Sequence, residues 1–167
     1  MNIRKILVAI AAIAATAAPA PLLAAQTASA SGRALLLLPL TLTKVNDLDF
    51  GTVVPSSSSG TVSIAADGSG QSVTGGVTPV ASGTATRAVF AGGGTAGQQV
   101  NIFLAPPASL SDGNGNSVPI SLSLDQSVVT IDSTRAFSVG IGGTVTVGAN
   151  QAEGTYTGTF TVLAQYN

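Results

Sequence analysis

The chain of 167 residues contains no cysteine, no histidine and no tryptophan. Without cysteine it can form no disulfide, no thiolate metal site and no lipidated lipobox. Without histidine it lacks the commonest general base and the commonest metal ligand. Charge is also scarce. Asp, Glu, Lys and Arg make up 8% of the residues, against roughly 25% in an average protein. A long charged helix and an acidic disordered tail are thereby excluded. Beyond residue 25 four basic residues face seven acidic ones, a net charge of −3. No basic patch exists to neutralise phosphates, which argues against a nucleic-acid partner. Aromatic residues number five Phe and two Tyr, too few for the two girdles of a transmembrane β-barrel.

What is present is small and polar-neutral: 20 glycines and abundant Ser and Thr, which keep the chain in solution with hydroxyls and amides. The N-terminus carries two positive charges, Arg4 and Lys5, followed by an apolar run from Ile6 to Ala18 that Pro19 and Pro21 break. Two small-x-small sites follow, ending at Ala25 before Gln26 and at Ala30 before Ser31. This order is that of a secretory signal peptide. The expected organisation is a signal peptide over 1–25, with cleavage alternatively after 30, then a leader over 26–33 and one domain over 34–167. A retained anchor is the competing reading, because Ile6–Ala25 can just span a bilayer, but its alanines and two prolines weigh against it. No membrane span is expected in the mature chain, whose location would be the periplasm, the cell surface or the medium.

From residue 34 onward the apolar residues alternate with period two, and no 3.6-residue period is sustained. Leu36, Leu38, Leu40 and Leu42 form one such run, Val100, Ile102 and Leu104 another, and Phe137, Val139 and Ile141 a third. The longest lies at the C-terminus, from Tyr156 through Phe160 and Val162 to Tyr166. Turn clusters separate the runs, among them Asp67-Gly68 and Asp112-Gly113-Asn114-Gly115, which reach positive φ at low cost. Short strands at this spacing predict an all-β fold, an antiparallel immunoglobulin-like β-sandwich. Its predicted core comprises Leu48, Phe50, Ile102, Leu104, Leu122, Phe137, Val139, Phe160 and Val162.

Few residues suggest chemistry. Asp47 and Asp49 share one strand face, roughly 7 Å apart. They could serve as a glycosidase pair or help to bind calcium. A solvated face opposite Leu48 and Phe50 explains them without a site, and is preferred because nothing in the sequence marks a pocket. Asp112–Asn116 begins like a calcium loop, but Ser117 and Ser123 stand where the pattern needs Gly and an acid. A hairpin loop is the expected reading. Gly92-Gly93-Gly94-Thr95 lacks the Lys of a phosphate loop, and Val145 replaces the third Gly of a dinucleotide fingerprint. Serines are plentiful, yet no His can activate one. No catalytic residue, cofactor or metal site is expected.

The segment Gly154–Asn167 holds the most information. Gly154 is fourteenth from the end, Tyr166 is penultimate, and apolar side chains alternate between them. It resembles the C-terminal strand of chaperone–usher pilins and of spore-coat-U-type domains. A wider resemblance rests on Leu48-Asp49-Phe50-Gly51, on Val139–Val147 and on Gly154-Thr155-Tyr156-Thr157-Gly158. Together these are similar to the bacterial secreted family called domain of unknown function 4402. That resemblance implies export and a β-sandwich and supplies no activity. The pilin resemblance implies a hydrophobic groove beside Gly154, Tyr156, Phe160, Val162 and Tyr166, filled first by a periplasmic chaperone and then by a neighbouring subunit. The gain would be strand pairing plus alternate side chains in pockets. The added strand would be Ala34–Leu42, with its run of Leu36, Leu38, Leu40 and Leu42, and this segment is expected to lie against Tyr156–Tyr166 within one chain or between chains. The function so implied is a non-enzymatic structural subunit of a pilus-like fibre or surface coat. A monomeric carbohydrate- or surface-binding module is the alternative, and a hydrolase using Asp47 and Asp49 ranks last.

Overall fold

A computed structural model describes residues 26–167. The expected signal peptide, residues 1–25, lies outside the described residues. The chain divides into two units, Met1–Leu35 and Leu36–Asn167. In the first, Gln26–Leu35 is exposed and carries no strand or helix. The second holds ten strands, and no helix occurs among the described residues. The alternating pattern predicts this all-β class, and the antiparallel sandwich follows from it.

The strands are β1 (Thr41–Asn46), β2 (Val53–Ile64), β3 (Gln71–Pro79), β4 (Ala88–Gly93), β5 (Gln99–Ala105), β6 (Ser109–Ser111), β7 (Ser117–Leu124), β8 (Val128–Thr130), β9 (Ala136–Val147) and β10 (Thr161–Tyr166). One sheet runs β1-β4-β9-β2-β3, with β7 also on β9 and β6 on β7. The other is β10-β5-β8. Every ladder is antiparallel.

Strand β9 is the spine of the larger sheet. Its first half pairs β4 from Ala136 to Ile141, and its second half pairs β2 from Gly143 to Val147. Strand β7 pairs Ile141 to Val145. Glycines stand where the partners change over. A Cβ on Gly142 would collide with the Ile64 carbonyl oxygen, and one on Gly143 would meet the Ser121 carbonyl oxygen at 2.6 Å. This gives the Gly-rich part of the Val139–Val147 motif a packing cause.

Two apolar clusters result. In the first, Val100, Ile102, Val129, Ile131, Phe137 and Val139 are buried between the sheets. Leu40, Leu42, Val162, Ala164 and Tyr166 pack against it from the rim. In the second, Val62, Val77, Val145 and Val147 are buried, and Phe50, Val53, Leu110 and Ile120 pack on them. The fully buried Val62, Val100, Ile131, Val139 and Ile141 each contribute roughly 1.5–3 kcal/mol by leaving water.

Several expectations need correction. Leu36–Leu42 is not one strand: β1 begins at Thr41. Pro39 offers no amide hydrogen, and the Leu38 backbone is taken by side chains. Its N–H donates to Thr95 Oγ1 at 2.7 Å, and its carbonyl accepts from the Tyr166 hydroxyl at 2.7 Å. The C-terminal run is a strand only from Thr161. Its partner β5 stops at Ala105, where Pro106 and Pro107 end the supply of donors. The Leu-rich segment and the C-terminal strand share no ladder, since β1 pairs β4 and β10 pairs β5. They meet through Tyr166 and the first cluster instead. Of the predicted core, Ile102, Phe137 and Val139 are buried, while Leu48, Phe50, Leu104, Leu122, Phe160 and Val162 are half-buried.

Candidate functional site

The sandwich is covered unevenly. The three-stranded sheet lies over the first cluster and leaves the second to irregular chain. That chain leaves a cleft of about 1000 Å³. One wall is Asp47–Val53, which continues from β1. The other is Gln151–Gly158 with Phe160, which leads into β10. The floor is apolar: Leu110, Ile120, Val145 and Val147 of the second cluster and its rim, with Val118 beside them.

Both walls are held locally. Asp49 exchanges two backbone hydrogen bonds with Thr86 at 2.9 Å, and Asp49 Oδ1 accepts from the Gly51 N–H at 2.8 Å. Opposite, the Tyr156 hydroxyl donates to the Ala152 carbonyl at 2.8 Å and accepts from Gln151 Nε2 at 2.9 Å. Thr157 exchanges backbone hydrogen bonds with Ser111 at 2.8 and 2.9 Å. Each wall thus bonds outward, and no backbone hydrogen bond joins one wall to the other. The Phe160 ring stands edge-on to Phe90, with centroids 6.2 Å apart.

The lip is acidic. Asp47, Asp49 and Glu153 line the cleft, and no Lys or Arg does. Lys44 pairs with Asp47 at 2.6 Å. These carboxylates are exposed, and among the described residues no three acids are grouped to hold a metal ion. Elsewhere, Asp112 is satisfied by its own loop. Its carboxylate accepts from Asn116 Nδ2 at 2.6 Å and from the N–H groups of Asn114 and Asn116. The Asn116 side chain, first among these donors, holds the carboxyl below its ordinary pKa. A second hollow of about 450 Å³ lies beside Arg87. That guanidinium donates to the Ala66 carbonyl and faces Asp125 at 3.8 Å, so its charge is engaged in the fold.

Over residues 40–166 the chain matches the model of a domain of unknown function, DUF4402. The chain belongs to the DUF4402 family. Comparison with curated proteins and with solved structures finds no match. The matched span of this DUF4402 domain runs from Leu40 to Tyr166, so it takes in both clusters and both walls of the cleft.

The expected assembly residues fall in three places, of which the third precedes the DUF4402 span. Gly154, Tyr156 and Phe160 line the cleft. Val162, Tyr166, Leu40 and Leu42 pack on the first cluster. Leu36 and Leu38 are 85% and 45% exposed. Asp47 and Asp49 stand on the lip, where the sequence marked no pocket. Sequence reasoning missed the floor residues Leu110, Val118 and Val147 and the wall residues Gln151 and Glu153. The walls are a hundred residues apart, and no local pattern announces that they face each other.

Proposed function

We propose that this domain is an exported, non-enzymatic structural subunit of a pilus-like fibre or surface coat, assembled by β-strand addition. The observation that carries this reading is the cleft between Asp47–Val53 and Gly154–Phe160. Its floor is aliphatic, each wall holds a single isolated bridge, and neither wall pairs with the other. An added strand would bury the floor and find backbone partners on both sides, which is how β-augmentation gains affinity. A heterologous contact of this kind, repeated head to tail, extends as a filament unless it closes into a ring. The few charges suit a subunit buried among its own copies, and the resemblance to pilin and spore-coat-U-type domains points the same way. A periplasmic chaperone would occupy the cleft before assembly. Asp47 and Asp49 act as lip charges: both are exposed, and Asp47 is paired with Lys44.

The test is the native mass of the protein recovered from the surface or medium of the producing cell. A ladder of multimers is expected. A monomer at every concentration would refute the assembly reading. It would favour a binding module instead, in which Tyr156 and the acids at the lip take a glycan.

A further inference from the structure

We propose that the outer face of the three-stranded sheet β10-β5-β8 is a binding site for a neutral polysaccharide. The pleat fixes this face. Val100, Ile102, Val129, Val162 and Tyr166 turn inward to the first cluster, so Phe103, Leu163 and Val128 turn outward. Phe103 is 51%, Leu163 57% and Val128 43% exposed. They are neighbours: Leu163 stands opposite Phe103, and Val128 stands opposite Asn101, two residues before Phe103. The outward face of an antiparallel sheet is ordinarily polar. Here it is partly apolar, and the three strands contain no Asp, Glu, Lys or Arg. Four primary amides lie beside the apolar group. Gln165 stands opposite Asn101. Asn101 Nδ2 donates to Asn167 Oδ1 at 3.2 Å, and Asn167 Nδ2 donates to Gln99 Oε1 at 3.2 Å.

This combination selects the ligand. A pyranose ring is apolar on the faces where its C–H groups point and polar around its rim of hydroxyls. An exposed aromatic ring covers the first, and amides, which carry both donors and an acceptor, bond the second. Phe103 and Asn101 are two apart on β5, about 7 Å, so a sugar stacked on Phe103 holds its hydroxyls within reach of Asn101 and Gln165. The two bonds that link Asn101, Asn167 and Gln99 restrain these side chains before binding, which lowers the entropy lost when a ligand orders them. An uncharged face suits a neutral chain and offers nothing to a phosphate or a carboxylate. Area argues against a second copy of this protein. The face is about 10 Å across and about 23 Å along β5, on the order of 300 Å², whereas a stable protein interface needs roughly 800 Å² per partner. An extended glycan strand fills the smaller area. None of these side chains lines the cleft, so the site is separate from the one proposed for assembly.

The test is native electrophoresis of the full chain through gels that contain xylan, laminarin or hydroxyethylcellulose, each alone. At least one of these neutral polysaccharides should retard the parent protein, and raised salt should leave the retardation unchanged. Phe103→Ala should weaken binding about tenfold, the loss of roughly one good contact, and Gln165→Ala should weaken it several-fold. Both positions are exposed, so both variants should keep the parent's circular dichroism spectrum and unfolding midpoint. Val54→Ala, an exposed apolar position on β2 in the other sheet, should bind as the parent does, which separates a site from general stickiness. No retardation of the parent in any gel would overturn the proposal. Retardation unaltered by both Phe103→Ala and Gln165→Ala would overturn it as well and move the glycan elsewhere on the domain. A native mass that falls in Phe103→Ala, with retardation unchanged, would overturn it in favour of a contact between copies. Pelleting with phosphatidylcholine vesicles that depends on Phe103, without retardation in any gel, would assign the face to a lipid surface instead.

Discussion

Tyr166→Phe removes one oxygen atom from the structure and two hydrogen bonds with it. The hydroxyl donates to the Leu38 carbonyl at 2.7 Å and accepts from the Thr95 N–H at 2.8 Å. It ties the penultimate residue to a segment 128 positions earlier. The ring packs on the first cluster, and phenylalanine keeps that packing, so no cavity opens. Each net hydrogen bond is worth about 0.5–1.5 kcal/mol. The expected loss is therefore about 1–3 kcal/mol, a sizeable part of a typical stability of roughly 5–15 kcal/mol. Urea unfolding followed by circular dichroism should show a lower midpoint with an unchanged slope, since the buried area is the same. Amide exchange should quicken at Thr95, which loses its acceptor, and at Leu38, whose hold on Thr95 Oγ1 depends on the same junction. Tyr156→Phe is the internal comparison. Its hydroxyl bonds only Gln151 and Ala152, five and four residues away, so its effect should stay in that loop. An unchanged midpoint together with unchanged exchange at Thr95 and Leu38 in Tyr166→Phe would refute this account of the junction.

Two further predictions concern the core and the turns. Phe137→Ala should cost about 3–5 kcal/mol, because Phe137 is 6% exposed inside the first cluster. Phe160→Ala, half-buried at the cleft and against Phe90, should cost clearly less, and equal shifts in unfolding midpoint would show that the cleft is closed in solution. Asp132 accepts from Thr134 Oγ1 at 2.6 Å and from the N–H groups of Thr134 and Ala136, and the Thr134 side chain, followed by the Ala136 N–H, holds its carboxyl below the ordinary value. A depressed carboxyl binds fewer protons folded than unfolded. Its contribution is therefore complete above the ordinary carboxylate pKa and disappears as pH falls through the lower folded value. Acid unfolding of the parent should steepen in that window, and Asp132→Asn should flatten the curve there; identical acid curves would contradict the assignment.

How much of this was legible in the sequence depended on whether a pattern was local. The pleat places Val100 and Ile102 inward and Phe103 outward, and the structure has them so, with Phe103 51% exposed. The same alternation over Leu36–Leu42 misled, because period two shows which face could be buried and not whether a partner strand exists. There the backbone of Leu38 is bonded by the side chains of Thr95, between β4 and β5, and of Tyr166, in β10, and no neighbouring residue signals that. The C-terminal run was read as one strand because Pro106 and Pro107, which cut short its partner, lie some fifty residues away. Strand β9 runs through Gly142-Gly143, since the glycines admit close neighbouring backbones. The acids at the lip were visible as a pair in the sequence, but the cleft behind them depends on which walls the topology leaves unpaired.

The position of β9 in the chain has a consequence for the order of folding. Strands β2, β4 and β7 all take a partner from residues 136–147. A chain emerging N-terminus first can close the β2–β3 hairpin and join β1 to β4 early, but it cannot join these pieces into one sheet until four-fifths of it has appeared. Until then their inner edges stand open to any extended chain nearby. The junction of Tyr166 with Leu38 forms later still, since β10 follows β9 in the chain. Such late completion leaves the unfinished sheet without its central strand until β9 is in place.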